Sequence, residues 1–383
     1  MVIAQVLGYM ISKFMGIRVI SGLLAAHRLS YLITMILIAE LSLLLFGWVS
    51  YPFNGMFMFF NGLSLGMIWG VVFSYLEGRR FTEILGVVLC SSFIVSTGAV
   101  KSAGLWIMLH LGISEFWMPA VTGALFLIPF VGFALLLEQI PAPSKEDNVL
   151  RMERGPMQGE DRKKLVLGFL FPLLILIIFY VCLTVLRDFR DNFSREIWDT
   201  LGYQGRISIY TLSEIPIAIL VLLIMASFAF IKDNYRAFCY YHYLLFLGSL
   251  LLGASTLLFN INAIGPVTWM IGAGLGLYAC YVPFNSLFFD RMIATFRIRG
   301  NAGFLIYVAD AFGYLGSVGV LLYKNFGHAQ VSWLQFYTQA TYLIAALGFV
   351  TVLVSWGLFR KKYRRNRQRT PFQKNTLKYE NQI

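Results

Sequence analysis

Long apolar runs, each stopped by charges or by Gly, Asn and Pro, recur along the whole chain. They lie near residues 1–12, 30–48, 54–76, 84–104, 117–139, 165–186, 208–231, 238–258, 264–289, 303–323 and 333–358. A hydrocarbon layer about 30 Å thick takes roughly 20 apolar residues of helix to cross, so the pattern predicts eleven spanning helices. The runs are apolar throughout rather than at every second residue, which excludes the strands of an outer-membrane barrel. The expected fold class is an all-α polytopic membrane protein whose first partner is the lipid bilayer.

Composition strengthens that reading. Of 383 residues, 58% are hydrophobic, 16% aromatic and 13% charged, and the mean hydropathy is +0.71, far from a soluble domain. The net charge of +12 does not imply a nucleic-acid partner, because the basic residues occupy the short breaks between runs and the C-terminal tail. Their placement reports topology. The loops after alternate runs, together with the tail, hold 25 of the 31 Lys and Arg residues, and cytoplasmic loops retain basic residues. This places the C-terminus in the cytoplasm and the protein in the cytoplasmic (inner) membrane. Met1 then falls on the opposite side, at the start of a run of only about twelve apolar residues, short for a span. The natural or ancestral chain is therefore expected to carry one more helix upstream, the alternative being a half-span lying in the interface. The first eleven residues have neither a basic start nor a small-residue cleavage site, so they do not read as a signal peptide.

The longest hydrophilic interruption before the tail predicts the domain organisation: an N-terminal bundle over 1–140, a linker over 141–164, a C-terminal six-helix bundle over 165–358 and a basic tail over 359–383. With the upstream helix restored, six spans precede the linker and six follow it, an arrangement typical of transporters built from two parallel repeats. Internal sequence similarity is not visible by eye. Cys90, Cys182, Cys239 and Cys280 all lie within apolar runs without metal-ligand spacing and read as small buried hydrophobes.

The break after the first run, with Gly8, Ser12, Lys13, Gly16 and Arg18, resembles the signature cytoplasmic loop of the major facilitator superfamily. There a Gly, an acidic residue, a basic residue, a second Gly and further basic residues join the second and third helices. Ser12 stands where that family has Asp, and one extra residue separates Lys13 from Gly16. The short charged loop Lys232 to Arg236 resembles its second-half counterpart. These stretches, with Arg187 to Phe193, Tyr281 to Asn285 and Tyr307 to Ser317, are similar to a bacterial family of major-facilitator-like proteins of unknown function. The resemblance implies two six-helix bundles, lacking here the first helix, with the first, fourth, seventh and tenth helices lining a central cavity.

Ionisable residues inside apolar runs are costly and mark functional sites by default. Asp310 is the leading candidate, because Tyr307, Asp310 and Tyr314 fall at i, i+3 and i+7 on one helical face. A carboxylate beside two phenols suits proton coupling, and equally a buried pair with a group such as Asn285. Glu40, near the middle of its span, is expected to point inward, to pair or to be protonated. Glu214 and Lys101 lie towards the outer ends of theirs, where Lys101 can snorkel. Tyr281 and Asn285 flank Pro283, whose kink sets polar groups at a cavity wall, and Asn61 offers an amide in the first half. Arg187, Asp188, Arg190 and Asp191 form an outer-gate candidate or a self-paired helical extension, Arg187 with Asp191 at i, i+4.

No nucleophile, metal or acid–base cluster is evident, and no ATP-binding motif is present. The expected function is secondary transport of a small solute by alternating access, either coupled to a proton or other ion or by plain facilitated diffusion, without cofactor or metal. A non-transporting sensor or scaffold on the same fold is the alternative.

Overall fold

The computed structural model describes residues 1–76, 82–141, 159–298, 302–326 and 331–380. Most of the expected linker, together with Arg79, Arg80, Arg299 and His328, lies outside the described residues, as does the side chain of Arg18. The described elements are helical: α1 (Val2–Gly22), α2 (Arg28–Trp48), α3 (Gly55–Leu65), α4 (Ile68–Leu76), α5 (Thr82–Leu111), α6 (Met118–Glu138), α7 (Gly159–Gly168), α8 (Leu170–Asn192), α9 (Ser194–Thr200), α10 (Ile209–Ala229), α11 (Asn234–Asn260), α12 (Pro266–Ser286), α13 (Phe288–Phe296), α14 (Ala302–Phe326) and α15 (Trp333–Glu380). A 3-10 turn, Ala25–His27, joins α1 to α2.

Ten of these are long and apolar enough to cross a membrane, α3 and α4 counting together. The eleventh is α1. Its stretch from Lys13, expected as the start of a loop, is continuous helix to Gly22, and 21 residues rise about 32 Å, a full hydrocarbon thickness. The Gly8-to-Arg18 segment is therefore a helix and not a tight reversal. Phe14, Met15, Ile17, Val19 and Ile20 continue the apolar run on either side of Arg18, and Lys13 is neutralised by an interhelical partner described below. Removing Lys13 from the loop count leaves the charge asymmetry between the two faces intact.

A membrane fold is not assembled by the hydrophobic effect between helices, since lipid tails solvate apolar faces as well as protein does. Close packing over small residues replaces it. A Cβ on Gly62 would stand 2.0 Å from the Gln5 carbonyl, and one on Gly8 would stand 2.2 Å from that of Phe59, so α1 and α3 touch backbone to backbone. Gly276 of α12 meets Gly248 and Leu252 of α11 in the same way. Lipid-facing side chains such as Ile128, Phe133, Phe171 and Leu247 stay exposed. Trp48, Tyr51, Trp106 and Trp117 are also exposed, at the ends of helices on the face where α1 begins, where amphipathic rings anchor a protein at the membrane interface.

In the first half α3 packs on α1 and α2, and α2 also packs on α6. In the second, α12 packs on α10 and α11, and α11 on α15. The halves meet along two seams, α1 against α14 and α5 against α10. The seams enclose the site.

Candidate functional site

Between the halves lies a cavity of about 360 Å³ whose polar wall includes Lys13, Arg187, Asp188, Asp191, Asn285 and Asp310, with Tyr9, Tyr281, Tyr314 and Trp69 supplying aromatic faces. Its wall holds an ion pair across the α1–α14 seam. Lys13 Nζ stands 2.9 Å from Asp310 Oδ2, and both side chains are 6% exposed. The ammonium is caged by aromatic rings, with centroids at 5.6 Å for Trp69, 5.6 Å for Tyr307 and 5.9 Å for Tyr314. Ring quadrupoles and the carboxylate together replace the water that a cation loses here. The other carboxylate oxygen accepts from the Tyr180 hydroxyl. Asn285 Nδ2 in turn donates to that hydroxyl at 3.0 Å. Asp310 is thus joined to Asn285 through Tyr180 rather than directly.

Two helical turns beyond Tyr180 on α8, the Arg187 guanidinium donates to Asp188 Oδ1 from Nη2 at 2.5 Å and from Nε at 3.1 Å. It donates to the Tyr314 hydroxyl at 3.0 Å, and also to that of Tyr281. Asp188 Oδ2 accepts from Ser317 Oγ at 2.6 Å. Arg187 therefore pairs with its neighbour and not with Asp191. Asp191 faces Lys101 of α5 at 3.5 Å, a second ion pair between the halves. Arg195 and Glu115 make a third at 2.9 Å, largely exposed. Arg190 turns away from the cavity, donating to Glu214 at 2.6 Å inside the second half. Of the four residues expected at an outer gate, Arg187, Asp188 and Asp191 line the cavity and Arg190 is buried behind it.

The remaining candidates divide between two places. Tyr281, Asn285 and Tyr314 lie on the cavity wall. Tyr307 is not part of that wall. Its ring faces Lys13 while its hydroxyl end occupies the space a Cβ on Gly70 would need, and its ring edge lies against Gly16. Ser12 is fully buried beside Gly66. Asn61 is a clamp: it accepts from Gln5 at 2.8 Å and donates to the Ala39 carbonyl at 3.1 Å, holding α1, α3 and α2 together. Glu40 and Asn61 line a second, larger cavity of about 600 Å³, walled mostly by the first half and closed on one side by Asp191, Asn192, Ser194, Arg195 and Tyr210 of the second. There Glu40 Oε1 is buried without a hydrogen-bond partner.

Sequence reading did not single out Tyr180, Tyr9, Trp69 or Gln5, and it placed Lys13 in a loop. The available signal was the apolar stretch continuing past Lys13. Among the described residues, no three His, Cys, Asp or Glu side chains are grouped to hold a metal ion.

A family profile matches residues 1–362 of this sequence. The chain belongs to the family of unknown function DUF5690. No curated protein matches it. Among solved structures, this DUF5690 chain is similar to a D-xylose–proton symporter at 15% identity, with a TM-score of 0.60 over 93% of this chain and 85% of that one. It is also similar to the human organic anion transporter MFSD10 at 13% identity, with a TM-score of 0.56 over 92% and 83%. At these identities the likeness establishes the fold, which is that of the major facilitator superfamily. Among the described residues, this DUF5690 chain has helices and no strand, with ten helices long and apolar enough to cross a membrane.

Proposed function

We propose that this protein is a secondary transporter that carries a small polar solute by alternating access, with Asp310 as the proton-coupling carboxylate. The observation that carries the reading is the buried Lys13–Asp310 pair, which ties the two halves at the wall of the cavity enclosed between them. Lys13 reaches Asp310 from α1, Tyr180 from α8 and Asn285 through it from α12. Tyr307 and Tyr314 flank Asp310 on α14. Protonating Asp310 removes the charge that compensates Lys13. A buried charge left without its partner costs about 3–5 kcal/mol, and separating α1 from α14 relieves that cost by admitting water to the ammonium. Proton binding thereby favours opening on the face where α15 ends.

The opposite face has its own ties. Lys101–Asp191 and Arg195–Glu115 join the halves there, with Ser102 of α5 donating to the Ile207 carbonyl at 2.8 Å and sharing a hydrogen with Thr211 at 2.7 Å. Arg195–Glu115 is exposed and contributes about 0–1 kcal/mol, and Lys101–Asp191 is a long contact at 3.5 Å, so both ties can break in every cycle. Basic loops and the basic tail orient the α15 end towards the cytoplasm of the inner membrane.

The cavity charges are paired, Lys13 with Asp310, Arg187 with Asp188 and Asp191 with Lys101 from behind the wall, so a solute of net charge would face no free counter-ion. What remains for recognition is tyrosine hydroxyls, amides and ring faces, which suit a net-neutral, hydrogen-bonding molecule. A D-xylose–proton symporter among the similar structures supports both the coupling ion and a small polar solute.

Proteoliposome uptake across a panel of neutral and charged metabolites, under an imposed pH gradient, tests the reading. Accumulation of a neutral polar solute that collapses in Asp310→Asn is the expected result. Absence of uptake for every member of the panel contradicts transport and favours a sensor or scaffold.

A further inference from the structure

A groove opens between the helices of the first half near the face where α15 ends. It holds about 400 Å³, and every side chain that lines it is apolar, among them Leu32 of α2, Val72 of α4, and Phe130, Ala134 and Leu137 of α6. Leu32 and Ala134 are buried, whereas Phe133, also in the lining, is 70% exposed, so the groove is open to the hydrocarbon. The second half closes the corresponding junction. There α11 packs on α13 and α15 as α2 packs on α4 and α6. Phe238, Phe288, Phe296 and Phe359 fill the space ring against ring, with centroids at 5.1 Å for Phe238–Phe288, 5.0 Å for Phe238–Phe359 and 5.8 Å for Phe296–Phe359. The first half has at this junction a core of only four residues, Leu32, Val71, Tyr75 and Ala134. A void forfeits the contacts of the atoms that line it, and in a bilayer the material at hand to restore them is an acyl chain.

Polar groups cap one end of the groove. Arg28, Tyr75 and Glu138 stand four, three and four residues from Leu32, Val72 and Ala134, which sets each on the same helical face as its lining residue and one turn nearer the surface. The Tyr75 hydroxyl donates to Glu138 Oε2 at 2.5 Å, and the Arg28 guanidinium lies 5.5 Å from the centroid of the Tyr75 ring. Arg28 Nε is buried without a hydrogen-bond partner, and Glu138 is exposed. A cation and a carboxylate thus flank one phenol where the head of a lipid lying in the groove would come.

We propose that this groove binds one phospholipid with an aminoethyl-phosphate head, its acyl chain along the apolar lining, its phosphate on Arg28 and its ammonium on Glu138. A guanidinium meets phosphate oxygens with paired N–H donors, and a primary ammonium brings three donors to a carboxylate. A choline head has no N–H to offer Glu138, and a glycerol head brings no cation to it. The rim therefore selects by head group while the groove accepts any chain. Groove and solute cavity share no lining residue, so the assignment does not depend on what the solute is.

The full chain is reconstituted in nanodiscs containing equal amounts of phosphatidylethanolamine, phosphatidylcholine and phosphatidylglycerol with identical acyl chains. Lipids retained on transfer to mild detergent are counted by native mass spectrometry. The expected result is one phosphatidylethanolamine per chain, retained about tenfold over either competitor. Glu138→Gln should abolish the preference for ethanolamine over choline, and Arg28→Gln should lower retention of all three lipids. Lys361→Gln, at an exposed basic residue of α15 on the same face, should change nothing. In parallel, phosphatidylethanolamine carrying a diazirine in its acyl chain is photolysed against the wild type, which requires no variant to fold, and adducts are expected at Val72, Phe130 or Leu137. Equal retention of the three lipids, a preference unchanged in Glu138→Gln, or a groove without adducts because residues 142–158 of this chain or no lipid occupy it, would overturn the proposal.

Discussion

At the residue scale the account turns on Lys13 and Asp310, each buried and each the other's counter-ion. Removing one partner of such a pair is expected to cost about 3–5 kcal/mol, whereas replacing both with apolar side chains of similar volume is close to neutral. Asp310→Asn and Lys13→Met should each lower the melting temperature of the detergent-solubilised protein. The double variant Lys13→Leu with Asp310→Leu should recover most of that loss and still fail to accumulate solute. Recovery of accumulation together with stability would reduce the pair to a structural tie. Arg187 makes a different demand, because its fork reaches Asp188, Tyr281 and Tyr314 at once. A lysine has no planar fork, so Arg187→Lys should weaken solute binding at least tenfold by calorimetry while leaving the melting temperature nearly unchanged.

At the element scale the tightest joint is α1 on α3. Gly62→Val would drive a branched side chain into the Gln5 carbonyl, 2.0 Å from the new Cβ. Overpacking of that kind costs about 1–3 kcal/mol where neighbours can shift, and two backbones in contact cannot. A sharp fall in folded, monodisperse protein by size-exclusion chromatography is expected, while Gly132→Val, which meets nothing within 4 Å, should leave the yield unchanged. The spanning helices were legible from the sequence because a bilayer demands long apolar runs. The path of α1 was not: Lys13 read as a stop, since a cation inside a span is tolerable only beside a partner 297 positions away. For the same reason Asp310 and Arg187 stood out while Tyr180, Tyr9 and Trp69 did not. An isolated aromatic in an apolar run carries no mark of facing a cavity.

At the scale of the whole molecule, two halves joined by two seams are expected to rock about the cavity between them. Opening the face where α1 begins must separate Lys101 from Asp191, so a short bifunctional thiol crosslinker bridging Lys101→Cys and Asp191→Cys, in a background lacking the native cysteines, should arrest uptake, and cleaving the bridge should restore it. Full uptake with the bridge intact would exclude movement at that seam. The most direct test of the central claim is a pH recording with proteoliposomes carrying no imposed gradient, to which the transported solute is added on one side. If Asp310 couples the two fluxes, downhill entry of solute draws protons with it and alkalinises the medium for the wild type, and Asp310→Asn produces no such shift. Solute entry without proton movement in the wild type, or an equal shift in Asp310→Asn, would contradict the account.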